Sequence, residues 1–283
     1  MKSESHMFHP RLVDELFGHK SEKEITETFA GTGRSVNGSF DRSRFSNTAI
    51  AMERLSGHAD YCLPHASDPL APYGRFRGRH IIGTGTRVLG GVYLGHRPRE
   101  AIVLDASSVV LQSCLKSFVA DRLNLMRTKF VHGDLTLDVN QQGVMRAFAT
   151  DLPQALFEFT LACLPYHEHK TAEVFRRTSL PPDSELALDV YLEARTGVCR
   201  HMVLFLVGMF ELLAKIGLTQ GSMSVCRCYI PNLFSHAWAR FEREGSDPLI
   251  LDPAQNFIGS MENAGEMGKF VYDHELAKFF SAE

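Results

Sequence analysis

The chain has 283 residues, 44% of them hydrophobic and 22% charged, the balance of a globular protein with ample apolar material for a core. A net charge of −3 gives no bulk reason to expect nucleic acid or an anionic membrane surface as partner. Six cysteines over this length are too sparse for a disulfide scaffold, so the thiols are expected to be free.

The N-terminus is polar and lacks the apolar h-region of a signal peptide. The longest strongly apolar run, Met202 to Phe210, falls far short of the ~20 residues that span a bilayer. A cytoplasmic location, or secretion without a cleavable signal, is therefore expected. Residues 1–75 read as a weakly ordered region. Gly31 to Asn47 is rich in Gly, Ser, Asn and Arg and has little periodicity, although Arg11–Phe17 has the pattern of a short amphipathic helix.

From His80 the pattern changes. His80–Ile82, Arg87–Leu94 and Glu100–Leu104 read as short strands joined by turns. Gly83-Thr84-Gly85 and Gly90-Gly91 lack the Gly-Lys-Ser/Thr of a phosphate loop and are read as turns. Helical spacing follows over Ser107–Arg122, Gly143–Ala149 and Gln154–Leu164, with Pro165 to His169 as a solvated loop. After the break at Pro181-Pro182, helical spacing resumes over Glu185–Arg195. Residues 76–180 are expected to form a mixed strand and helix region that packs on a C-terminal core of residues 181–283.

The segment Thr196 to Asp252 carries the chemistry. Gly197 allows a tight turn into an almost wholly apolar helix that starts near Cys199 and closes at Gly217. Apolar residues on all its sides predict a helix in the middle of the core. A thiol in its first turn faces the positive end of the helix dipole and unpaired backbone N–H groups, which favour a thiolate and can hold an oxyanion. Three period-two segments follow, Ser222–Ile230, Ser235–Glu242 and Leu249–Asp252. His236, Trp238 and Arg240 share one face of the second, and Asp252 ends the third. Adjacent antiparallel strands bring His236 and Asp252 within reach of each other. A cysteine nucleophile needs a base, a group that orients the base, and oxyanion donors; Cys199, His236, Asp252 and the helix-start amides offer one candidate for each.

Thr196-Gly197-Val198-Cys199-Arg200-His201, then Ser235-His236-Ala237-Trp238, then Leu251-Asp252-Pro253 together resemble the core of the transglutaminase-like superfamily, within the papain-like group of folds. The resemblance covers about residues 185–258. It implies an α+β fold with a central helix packed on an antiparallel sheet. It also implies a triad of Cys199 as nucleophile, His236 as base and Asp252 as its orienting group, with Trp238 at the aromatic position two places after the histidine. The implied reaction is acyl transfer from amide bonds of a protein substrate, by deamidation or cross-linking, without a cofactor. A thiol peptidase with the same triad and a non-catalytic binding module are the alternatives. Several members of the superfamily are bacterial effectors acting on host glutamines, which a flexible, leaderless N-terminus would suit. Arg200 and His201 flank the thiol and, with Trp238, are candidates for tuning it or touching substrate. Cys226 and Cys228 could suggest zinc together with Cys199 and His201, but Cys-x-Cys within a regular strand reads as packing, with Arg227 facing the other way. Phe157, Phe159, Phe205 and Phe210 read as core.

Overall fold

The computed structural model describes residues 47–132, 141–230, 234–264 and Tyr272. Helix α1 (Asn47–Leu55) precedes the strands β1 (Tyr61–Cys62), β2 (Arg75–Phe76), β3 (Arg79–His80), β4 (Val92–Tyr93) and β5 (Ala101–Val103). Four helices follow: α2 (Val109–Val131), α3 (Gln141–Ala149), α4 (Leu152–Cys163) and α5 (Glu168–Arg177). After β6 (Glu185–Ala187) and α6 (Asp189–Ala194) comes the central helix α7 (Cys199–Lys215), and then β7 (Ser222–Ile230), β8 (Phe234–Glu242), β9 (Leu249–Asp252) and β10 (Phe257–Gly259). The protein is thus mixed α+β, with seven helices and three small sheets among the described residues.

Helix α7 organises the fold. Every residue from His201 to Phe210 is buried, as expected for a helix apolar on all sides. One flank lies on β7 and β8, where Val225, Ala237, Ala239 and Phe241 face it; α2, α4 and α6 enclose it elsewhere. At Gly208 a Cβ would stand 2.9 Å from Leu104 Cδ2, so the missing side chain is what admits the chain leaving β5. The helix ends in a Schellman motif: Gly217 is left-handed at φ +77°, with Leu218 N–H donating to Leu213 O and Gly217 N–H to Ala214 O.

The largest sheet runs β10-β9-β8-β7 and is antiparallel throughout, with Cys228 opposite His236 and Ala239 opposite Leu251. Its far face carries Cys226, Cys228, Trp238 and Ile250 in a separate apolar cluster with Tyr272. Arg227 faces the other way and is fully buried. It donates to Ile82 O (3.2 Å) and Leu94 O (2.5 Å) and lies 4.0 Å over the Tyr93 ring, tying this sheet to the N-terminal strands.

Several local expectations need correction. Glu185–Ala187, expected as helix, is a strand parallel to β5; Leu186 alone of the three is buried, a period-two pattern too short to read against the helix that follows. Of Arg87–Leu94 only Val92–Tyr93 is strand. The amides of Val88 and Leu89 instead donate to the Glu211 carboxylate on α7 at 2.7 and 3.0 Å, and Gly90 turns the chain at φ +80°. Within the region expected to be weakly ordered, residues 47–62 form α1 and β1. Ala51 and Leu55 pack with Tyr73, Phe76, Ile81, Val92, Leu94 and Ala101, partners whose burial local periodicity does not reveal. The amphipathic piece Arg11–Phe17 and the Gly/Ser-rich stretch to residue 46 lie outside the described residues. No helix among the described residues is long and apolar enough to cross a membrane.

Candidate active site

The turn into α7 is built by part of the Pro165–His169 segment, expected to be a solvated loop. Gly197 N–H donates to Pro165 O at 3.1 Å and Gly197 O accepts from His167 N–H at 2.9 Å, a parallel bridge that pins the residue before the helix. Below it Thr171 and Thr196, both buried, share a hydroxyl hydrogen bond of 3.0 Å. Val198 is extended and caps the helix, its amide donating to His201 Nδ1 at 3.2 Å. Cys199 is therefore the first helical residue. Among the described residues no acceptor takes the Cys199 or Arg200 amide, so two N–H donors remain beside the sulfur.

His236 and Asp252 arrive from the sheet. β8 begins and β9 ends at the same edge of the antiparallel pair, which places His236, the third residue of β8, near Asp252, the last of β9. His236 Nε2 and Asp252 Oδ2 are 2.5 Å apart. Asp252 is fully buried and accepts two further hydrogen bonds, from Tyr272 Oη at 2.9 Å on Oδ2 and from the Gln255 amide at 3.2 Å on Oδ1. The imidazole lies on the sheet face opposite the body of α7, and the thiol at the helix start is near enough to it for each to shift the other's titration. The three side chains thus meet at the end of the helix–sheet layer. With Nε2 committed to Asp252, Nδ1 is the nitrogen left for the thiol.

Electrostatics fit that geometry. Burial opposes charge on the ring, but the Asp252 carboxylate and the Cys199 contact outweigh it and push the His236 pKa up to about 10. Burial raises the Cys199 thiol, but the His236 hydrogen bond, the imidazolium charge and the Arg200 guanidinium bring it below its ordinary value, against a smaller repulsion from Asp252. Both shifts favour a thiolate–imidazolium pair.

The residues expected around the triad divide. Trp238 is 1% exposed, which leaves it no surface for substrate. It stacks on the His236 ring (centroids 6.0 Å, 25°) and is covered by Tyr272 (5.2 Å), so it walls the imidazole instead. His201 is fully buried and its pKa falls to about 4, through burial first and then Arg200; it is neutral, packs 4.0 Å from the Tyr191 ring, and acts as a cap. Arg200 carries the charge that bears on the thiol. Its guanidinium is paired with the buried carboxylate of Glu100, whose pKa is held low against burial by His201 and Arg200. His201 Nε2 lies 3.3 Å from the same oxygen, without the alignment of a good hydrogen bond. Glu100 and Tyr272 were not foreseen: one lies 100 residues before Arg200, the other 20 after Asp252, and no spacing rule links them.

Cys226 and Cys228 are buried in the strand packing, and none of the six cysteines is in a disulfide. Among the described residues no group of three or more His, Cys, Asp or Glu side chains gathers as a metal site. Compared with protein-family models, with curated proteins and with solved structures, the chain matches none. What the coordinates define is a mixed α+β protein in which a cysteine, a histidine and an aspartate converge at the start of a buried helix.

Proposed function

We propose that the protein is a cysteine-dependent acyl-transfer enzyme of the transglutaminase-like kind, acting on amide bonds of a protein substrate as a glutamine deamidase or a transglutaminase. The observation that carries the reading is the His236–Asp252 hydrogen bond beside the Cys199 thiol, to which the imidazole is electrostatically coupled, with unclaimed amides next to the sulfur. The Cys199 thiolate attacks the amide carbonyl carbon, and the Cys199 and Arg200 amides are aimed to hold the oxyanion. The His236 imidazolium gives its proton to the departing nitrogen, so the C–N bond breaks, ammonia leaves and a thioester remains. His236, now neutral, takes a proton from water or from an amine, whose oxygen or nitrogen displaces the sulfur and restores the thiolate. Asp252 keeps the ring in one orientation throughout and steadies its positive form. Trp238 and Tyr272 keep water from the Asp252 side of the ring.

The test is incubation with casein, reading ammonia release, new cross-links and peptide cleavage in parallel, against a Cys199→Ala control. Ammonia without cleavage, absent from the control, is expected. Cleavage without ammonia would make the protein a peptidase. If none of the three products forms and iodoacetamide labels Cys199 no faster than the other five cysteines, the enzymatic reading is wrong.

A further inference from the structure

Beside the start of α7 lies a cluster of cations, of which Arg97 and Arg99 have no part in the triad chemistry. The loop from Gly95 to Glu100 joins β4 to β5 and is fixed at both ends. Arg54 Nη2 donates to Gly95 O at 3.2 Å, the Asp183 amide donates to Arg99 O at 2.5 Å, and the Ala101 amide to Ser184 O at 2.9 Å. The buried Glu100 carboxylate, joined to Arg200, holds the loop against the residue next to the nucleophile. Anchored in this way, with Pro98 restricting the backbone between them, Arg97 and Arg99 are exposed.

Among the described residues the neighbouring carboxylates are engaged elsewhere. Asp183 is claimed by Arg54 through two hydrogen bonds of 2.6 and 3.0 Å, and Glu100 by Arg200. Among the described residues no carboxylate lies within ion-pair distance of Arg97 or Arg99. Among the described residues three guanidinium groups, those of Arg97, Arg99 and Arg200, therefore stand against one buried carboxylate near the start of α7. That they form a single cluster with the thiol is supported by their mutual influence. Partial burial of its guanidinium and then the Arg200 charge lower the Arg99 pKa while Glu100 and, less strongly, Cys199 oppose the fall, and His96, set among Arg97, Arg99, Arg227 and Arg200, is driven down to about 4, by burial first, and is neutral. Guanidinium groups pair with carboxylates in a two-point geometry that lysine does not reproduce.

We propose that Arg97 and Arg99 form a docking patch beside Cys199 that selects protein segments carrying aspartate or glutamate next to the reacting amide. The proposal rests on the functional reading above in taking Cys199 as the reacting group, and it adds to it the chemical class of substrate: an acidic segment. A surface with a net negative charge has no bulk attraction for such a partner, so selection falls to this local patch.

Two measurements test it, on the full chain and on its Arg97→Glu/Arg99→Glu and Arg97→Gln/Arg99→Gln variants. The first compares alkylation of Cys199 by anionic iodoacetate and by neutral iodoacetamide, read by mass spectrometry of the Cys199 peptide. The iodoacetate-to-iodoacetamide rate ratio is expected to fall on the order of tenfold in the charge-reversed variant at low ionic strength, less in the neutral variant, with the differences largely gone at high salt. An unchanged ratio overturns the patch even if iodoacetamide labels Cys199 rapidly. The second reads the anisotropy of fluorescein-labelled hexaglutamate in a Cys199→Ala background, and so holds whether or not the thiol is activated. Binding that weakens severalfold on charge reversal, with no binding of hexalysine, supports the proposal. Equal binding to all variants, or displacement of hexaglutamate by oligothymidylate at equal strength, overturns it, the latter by showing a general polyanion site. Slow labelling of Cys199 by both reagents, with hexaglutamate still bound through the arginines, would end the nucleophile reading and leave only the binding patch.

Discussion

Replacing Asp252 with Asn keeps the shape of the side chain and removes its charge. Asp252 acts on the thiol in two opposed ways: its own charge repels a thiolate, and through His236 it sustains the cation that stabilises one. The second effect is the larger, because the carboxylate touches the imidazole at 2.5 Å and dominates the groups that raise His236 to about 10. An opposite charge at such range is worth ~1–3 pH units, or about 1.4–4 kcal/mol between the two protonation states. Without it the buried ring goes neutral, the thiol loses its cationic neighbour, and the thiolate fraction at mildly acid pH falls. The assay is the second-order rate of iodoacetamide labelling at Cys199 from pH 5 to 9. Asp252→Asn should slow it at pH 6 by roughly tenfold or more, and move the rise in rate toward the range of an ordinary thiol. Faster labelling in the variant would show that direct repulsion prevails, and would refute the ordering of the two effects.

Three further outcomes follow from the packing. Gly208→Val forces a Cβ to within 2.9 Å of Leu104 Cδ2 in a close-packed layer, and should lower stability by about 1–3 kcal/mol in urea unfolding. Arg227→Met removes the donors to Ile82 O and Leu94 O and should lose about 3 kcal/mol, seen as a fall of roughly 1 M in the urea midpoint. His201 has a folded-state pKa of about 4, below the ~6.5 of an unfolded histidine, so the unfolded chain takes up the proton first as pH falls. Stability should therefore decline between pH 6.5 and 4, by about 3 kcal/mol from this residue, and His201→Gln should flatten that slope.

Legibility in the sequence followed the range of the interactions. Helix α7 was readable because its burial is written in its own unbroken apolar run, and Gly217 marks its end for a local steric reason. The strands from Ser222 to Asp252 were readable because alternation is a property of each strand alone, and their order placed Cys199, His236 and Asp252 together. The three-residue strand β6 was lost because its ladder partner lies more than eighty residues upstream. Alternation put Trp238 on the His236 face but could not show that Tyr272 covers it, which is why a substrate contact was expected where there is a buried wall. The Pro165–His167 bridge to Gly197 carries no side-chain signature at all, since only backbone groups make it.

An ion pair of Cys199 with His236 at neutral pH would show in the ultraviolet thiolate absorbance of the protein minus that of its Cys199→Ser variant. The subtraction matters because Cys114, set against Cys163, is itself lowered from its ordinary value. The difference band should be present at neutral pH and fade only on acidification well below the range of a free thiol. A band that first emerges near the ~8.5 of an unperturbed cysteine would contradict the account.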